Sequence, residues 1–349
     1  MRRVLILVTS LTMAAPAAAA AQSSSSSTSR TVESSSRQNR DRTEQREQRR
    51  RDSRAEETER TSRTVNIGAN GEIDITNIAG DMSVTRGGGT SATIEIIKTA
   101  RAETSEDARE LLSLVPVDIA ERGTRVEVKT RYPNEDDLRR RNRRNIHLDV
   151  VFNITVPAQT RVSLHSISGS FVVRDVAGPL QLDTISGNIK LSNAGRSSAK
   201  TISGNIEVSD TTIEGILTAS TISGNVAIKK AIARGLTLST VSGSIGIEDA
   251  TCERVESQAV SGDVWFSGEL EPNGRYELSS HSGSVKVAIG SKTGFQVDAS
   301  SFSGGIRTDL PLNVDGMRKS GRSLQGRYGN GSAILDLNSF SGSIIITKR

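Results

Sequence analysis

The sequence has few of the residues that staple small secreted domains or build active sites. Cys252 is the one cysteine in 349 residues, so no intramolecular disulfide can form and stability has to come from packing and hydrogen bonds. It lies far from the N-terminus, which argues against a lipid-modified N-terminal cysteine, and it reads as a small semi-buried residue rather than a reactive thiol. Aromatic residues make up 3% of the chain while glycine occurs 31 times. That balance does not suit one large globular core. It suits a stack of thin layers, each filled by small and branched apolar side chains.

Catalytic equipment is equally sparse. His147, His165 and His281 are the only histidines, and none has metal-ligand spacing with another histidine, a cysteine or a carboxylate. Gly87, Gly88 and Gly89 lack the Lys-Ser/Thr ending of a phosphate loop and read as a flexible turn. Calcium-binding nonapeptides are absent, because acidic residues do not follow the glycines periodically. Asp175, Asp183, Asp210 and Asp249 read as scattered rather than as a column of carboxylates. The expectation is a protein with no catalytic residues, no cofactor and no metal. The enzymatic alternative is a carbohydrate-active β-helix enzyme, a polysaccharide lyase or hydrolase, which needs clustered carboxylates on neighbouring coils.

Long apolar runs are confined to the start of the chain. Arg2 and Arg3, the apolar stretch 4–11 and the alanine-rich segment ending at Ala21 read as a signal peptide over residues 1–21. The run falls short of the roughly 20 residues needed to span a bilayer. An exported protein of the periplasm or cell surface, without a transmembrane span after cleavage, is expected. Residues 22–63 hold serine runs and then alternate arginine with glutamate and aspartate, so they read as a disordered linker, with order starting near Thr64.

From there the residues alternate as strands should. Val65, Ile67, Ile73 and Ile75 flank Asn70-Gly71, a hairpin signal, and further strands are expected at 82–85, 92–98, 117–120, 125–130 and 146–156. One helix is expected, with Thr104 as its cap, Asp107 three residues on, an apolar stripe of Ala108, Leu111, Leu112 and Val115, and Pro116 as its stop. Arg139, Arg140, Arg141, Arg143 and Arg144 lie in a polar loop that offers a binding surface for an anionic envelope polymer or lipid headgroups. Residues 64–165 thus form an N-terminal β-rich region with one helix and a basic loop.

From Ser166 onward a Ser-Gly pair recurs. Its glycines are Gly169, Gly187, Gly204, Gly224, Gly243, Gly262, Gly283, Gly304 and Gly342. The serines advance in steps of 18, 17, 20, 19, 19, 21 and 21, then 38, which equals two steps of 19. Three residues after each serine stands an apolar residue such as Phe171, Ile189 or Val264, and five after it another, such as Val173, Leu191 or Phe266, with Thr308 the polar exception. Pairs such as Leu180 with Leu182 and Leu335 with Leu337 precede it, so each copy is strand, turn, strand. Glycine supplies positive φ, the serine hydroxyl is available for a local backbone bond, and the small residue two before the serine lets layers approach. A period near 19 residues is the perimeter of one coil, so residues 166–349 read as an all-β, single-chain β-solenoid of parallel β-helix type with about nine to ten coils, against the rival of an antiparallel meander. The isoleucine just before the serine is out of phase with the inward row. Either a bulge brings it inside or it forms an outer apolar ladder. The segment between Ser303 and Ser341 is expected to hold one irregular coil with a long excursion over 310–333.

The Thr-Ile-Ser-Gly-Asn-Ile copies, Val156-Pro157 ahead of the first copy, and the closing Gly326-Arg327-Tyr328-Gly329-Asn330-Gly331 resemble the DUF4097 family of bacterial β-strand-repeat, adhesin-like proteins over residues 64–349. The resemblance implies a β-solenoid at the cell envelope without an established enzymatic activity, and no catalytic residue carries over. The expected role is an adhesin-like or scaffold module facing an envelope protein or polysaccharide. Export and the lack of interleaved aromatics point away from nucleic acid.

Overall fold

A computed structural model of the chain describes residues 55–133, 147–290, 292–313 and 319–349. Expectations for residues 1–54 and for the basic loop fall outside the described residues. The described part is all-β apart from one helix, and its strands join into a single sheet. Each strand before a Ser-Gly pair lies parallel to its counterpart one coil away, with Ser168, Ser186, Ser203, Ser223, Ser242, Ser261 and Ser282 as successive partners. The strands after the turn stack likewise, Ile189 on Phe171 and Ile206 on Ile189. This is a solenoid-like stack rather than a meander of hairpins.

The residue pattern explains the pairing. In a strand successive side chains point to opposite faces, so residues at even offsets share one face. Leu164, Leu182, Ala199, Ala219 and Leu238 form one inward row and Val173, Leu191, Val208, Ile228, Ile247 and Phe266 another, all buried. Each such branched side chain contributes about 1.5–3 kcal/mol on burial. A slip of one residue would turn a whole row outward.

The order of stacking departs from the order of the chain at both ends. Ala333–Ser339 lies between Arg275–Ser282 and Phe295–Ser301, and Ile344–Lys348 lies between Val285–Ile289 and Ile306–Thr308. The copy at Ser341 therefore does not follow an irregular coil. It inserts between the copies at Ser282 and Ser303, and the excursion carries Ser323–Tyr328 back to pair antiparallel with Phe295–Ser301. At the other end Glu72–Thr76 sits between Arg125–Thr130 and Arg161–Ser168, parallel to both. The hairpin expected at Asn70-Gly71 does not form, because the preceding strand pairs elsewhere.

That preceding strand, Ala55–Asn66, begins within the stretch expected to be linker and well before Thr64. It pairs residue for residue with Ser91–Ala102. An edge strand draws on ladder bonds and needs few apolar side chains. Ion pairs Arg101–Glu56 at 2.6 Å and Arg60–Glu95 at 3.3 Å cross this pairing.

The helix Ser105–Ser113 forms where its signals place it. The Thr104 hydroxyl accepts the Asp107 N–H at 3.1 Å, and Ala108, Leu111 and Leu112 pack on Ala100 and Ala102.

Contact requires glycine at all nine turns, whereas the expected positive φ occurs only at Gly204, Gly224, Gly243 and Gly262 among them. A Cβ on Gly243 would lie 2.0 Å from the Gly224 carbonyl oxygen, and one on Gly262 would lie 1.9 Å from that of Gly243. φ at these two residues is +143° and +148°. Gly243→Ala is expected to destabilise the protein by about 1–3 kcal/mol or more. Gly88→Ala, where nothing lies within 4 Å, should be close to neutral. Thermal unfolding followed by circular dichroism compares them.

Candidate functional site

The Ser-Gly turns form one edge of the stack, with an inner and an outer side. On the inner side, the residue two before each serine is buried, and at seven of the nine copies its hydroxyl bonds the neighbouring coil. Thr184 donates to the Gly169 carbonyl at 3.2 Å, Thr201 to Gly187 at 3.2 Å, Thr221 to Gly204 at 3.0 Å and Thr240 to Gly224 at 3.0 Å. Ser280, Ser301 and Ser339 do the same to Gly262, Gly342 and Gly283. The expected hydroxyl bond exists, but two positions earlier and between coils. The turn serines themselves are exposed. Ala259 lacks a hydroxyl at this position, and the buried Ser166 hydroxyl has no partner.

Past the glycine, side-chain oxygens form a second staple. Asn188 Oδ1 accepts the Asn205 N–H at 2.9 Å, Asn205 that of Asn225 at 2.8 Å, and Asn225 that of Ser244 at 2.8 Å. Asp263 accepts the Ser284 N–H at 2.9 Å. Together with the strand ladders these bonds hold the edge rigid.

On the outer side stands the apolar ladder. Ile167, Ile185, Ile202 and Ile222 are 47–51% exposed, Val241 and Val260 47% and 42%, and Phe302 and Phe340 67% and 48%. No bulge takes them inside, which decides between the two expectations for this row. Each directly follows a buried inward residue, such as Thr184 before Ile185 or Thr221 before Ile222, so the pleat dictates its outward direction. At the far end the rings of His281, Phe340 and Phe302 stack with centroids 4.7 Å apart and interplanar angles of 10° and 4°. A groove of about 620 Å³ beside them is lined by Gln258, Ser279, Ser300 and Asn338 as well as the rings.

The remaining sequence candidates sort as follows. The nine turn glycines occupy one column. Arg139, Arg140, Arg141, Arg143 and Arg144 lie outside the described residues. His147 faces Asp149 at 2.5 Å and His165 faces Asp183 at 3.4 Å, each a local pair. Among the described residues no group of three or more His, Cys, Asp or Glu is placed to hold a metal, and no helix is long and apolar enough to cross a membrane.

The aspartates need a correction. Asp175, Asp210 and Asp249 share one column with Asn193 and Lys230, each seven residues after its repeat serine, with φ between +48° and +61°. Only Asp183 lies elsewhere. The left-handed backbone at this second corner favours Asp and Asn. Asn193 bonds Asp175 at 2.7 Å, and Asp249 pairs with Arg349. The column turns the chain.

Two outcomes are expected from this geometry. Thr221→Val removes the hydroxyl that serves the Gly204 carbonyl and should cost about 1 kcal/mol, measured by urea unfolding. Cys252 is 1% exposed, and burial pushes its thiol up to about 12. It therefore stays protonated below that pH, and thiolate-directed labelling at pH 8 should fail on the native protein and succeed once it is unfolded.

Comparison with solved structures returns proteins of low identity. A candidate adhesin of Parabacteroides merdae is 12% identical, with 82% of this chain and 96% of that one covered and a TM-score of 0.44. A candidate adhesin of Bacteroides fragilis is 13% identical over 83% and 97%, with a TM-score of 0.39. A candidate lipid-binding protein of Parabacteroides distasonis is 14% identical over 83% and 96%, with a TM-score of 0.31. No curated protein matches the chain. The family model described as Toastrack DUF4097 matches residues 89–347, and the chain belongs to that family.

Proposed function

We propose that this chain is an exported cell-envelope protein, an adhesin-like or scaffold module that works without catalysis by presenting one rigid solenoid face to an envelope protein or polysaccharide. Residues 1–21 serve as the export signal and the charged stretch up to Ala55 as a tether. Residues 166–349 supply a solenoid of about nine to ten coils.

The observation that carries this reading is the ladder of half-exposed Ile, Val and Phe side chains along the Ser-Gly edge. Scattered surface leucines and isoleucines need no explanation, but a contiguous apolar line rimmed by polar residues marks an interaction surface. Rigidity adds to its usefulness, since a partner docking on a pre-ordered edge loses little conformational freedom of the edge itself.

Ile202→Lys with Val241→Lys tests it. These side chains are exposed, so unfolding should shift by no more than about 0.5 kcal/mol per site. Retention of the purified protein on native envelope fractions should fall at least tenfold. Equal retention of variant and parent, or turnover of a polysaccharide by the parent, would remove the proposal.

A further inference from the structure

A second surface lies past the turn, on the sheet formed by the strands that follow the Ser-Gly pairs. Its outward column four residues after the serine runs through Lys190, Glu207, Ala227, Gly246, Trp265, Lys286 and Ile345. Trp265 is the only tryptophan of the chain. A Cβ on Gly246 would fall 2.3 Å from Trp265 Cζ2, 2.4 Å from Cε2 and 2.7 Å from Nε1. Ring atoms this close to the missing Cβ put the indole against the glycine, while Trp265 also lines the cleft beside it. Glycine at 246 is what makes room for the ring there.

Beside it opens a cleft of about 570 Å³, lined by apolar Phe266, Val287, Ala288 and Ile345 and by polar Asp263 and Lys286 along with the indole. That volume lies in the range of about 300–1,000 Å³ typical of small-molecule sites. At the rim Lys286 Nζ donates to Asp263 Oδ2 at 2.9 Å, with the two side chains 51% and 42% exposed. The bond from Lys286, and then that from the Ser284 N–H, hold the Asp263 carboxyl below its ordinary range, so it is an ionised acceptor at neutral pH.

We infer that this cleft is a saccharide-binding site in which a pyranose ring lays its C–H face on Trp265 while Asp263 and Lys286 bond its hydroxyls. The chemistry selects the ligand class. The face of an aromatic ring attracts polarised C–H groups, and its apolar body tolerates loss of water. A paired carboxylate and ammonium supply acceptor and donor together without net charge, which suits a neutral polyhydroxylated ligand better than an anion or a cation. Hydroxyls of Ser244, Ser267 and Thr347 add further polar partners to the lining. The site is separate from the apolar ladder and does not depend on it.

The single tryptophan makes the site report on itself. Purified protein titrated with cellotetraose, xylotetraose, maltotetraose and chitotetraose should show a saturable change in tryptophan emission with at least one of them, with a dissociation constant below about 1 mM. Gly246→Ala keeps the indole, Asp263 and Lys286 but lifts the ring, and should weaken binding at least tenfold. Trp265→Ala, read by titration calorimetry, should do the same and covers the case in which Gly246→Ala unfolds. Ile202→Lys with Val241→Lys should bind as the parent does, which keeps this test apart from that of the ladder. No saturable change with any of the four sugars, or parental affinity in Trp265→Ala, would overturn the inference.

Discussion

The structure depends on how closely two coils approach at the turn. The carbonyl oxygen of each turn glycine stands where the next coil's Cβ would be, within about 2 Å of that point along the whole column. Only glycine permits this, and the approach fixes the registers that follow from it. Once the glycines are nested, the Thr or Ser two residues earlier meets the neighbouring carbonyl, the Asn or Asp just after meets the neighbouring N–H, and the branched side chains fall into continuous inward rows. A shift by one residue would drive a Cβ into a carbonyl and turn the apolar rows toward water. Steric exclusion and burial thus select the same alignment, and such agreement between local and global preferences marks a sequence with one dominant fold.

The same pleat that buries Thr221 turns Ile222 outward, so the apolar ladder is a geometric companion of the staple. Nothing in the stack requires the outward residue to be apolar, since Lys and Glu occupy comparable outward positions elsewhere. The line of Ile, Val and Phe is therefore read as chosen for what it meets outside. An apolar edge, an indole beside a cleft and a second corner occupied by Asp, Asn and Lys give the stack differently decorated faces on a common frame, as expected when function is grafted onto a fold rather than dictated by it.

Much of this was legible in the residues. The offsets of Phe171, Ile189 and Val264 from their serines gave the parallel register, and Thr104 with Asp107 gave the helix start. The strand pattern failed where different copies look alike. Leu335 and Leu337 match the inward row as well as Val297 and Ala299 do, so side-chain pattern could not tell which copy stacks on which, and the inserted order at Ser341 was hidden. Asn70-Gly71 has hairpin chemistry, yet its strands found longer-range partners whose burial outweighed the local turn. Ala55–Asn66 was hidden because an edge strand is defined by backbone bonds that composition does not advertise. Asp175, Asp210 and Asp249 were a different kind of miss, since their equal offset from the serine was present in the sequence and pointed to a corner. Trp265 carried no periodic signal, being the lone aromatic of its column.

The insertion of Ala333–Ser339 between two earlier strands bears on how the stack closes. Phe295–Ser301 reaches Arg275–Ser282 only through Ala333–Ser339, and its other partner is the antiparallel Ser323–Tyr328. Ile344–Lys348 bridges Val285–Ile289 and Ile306–Thr308 in the same way. Removing these two bridging strands would therefore open an interior seam rather than fray an end, so the stack is keyed shut by a segment distant in sequence from one of the strands it joins.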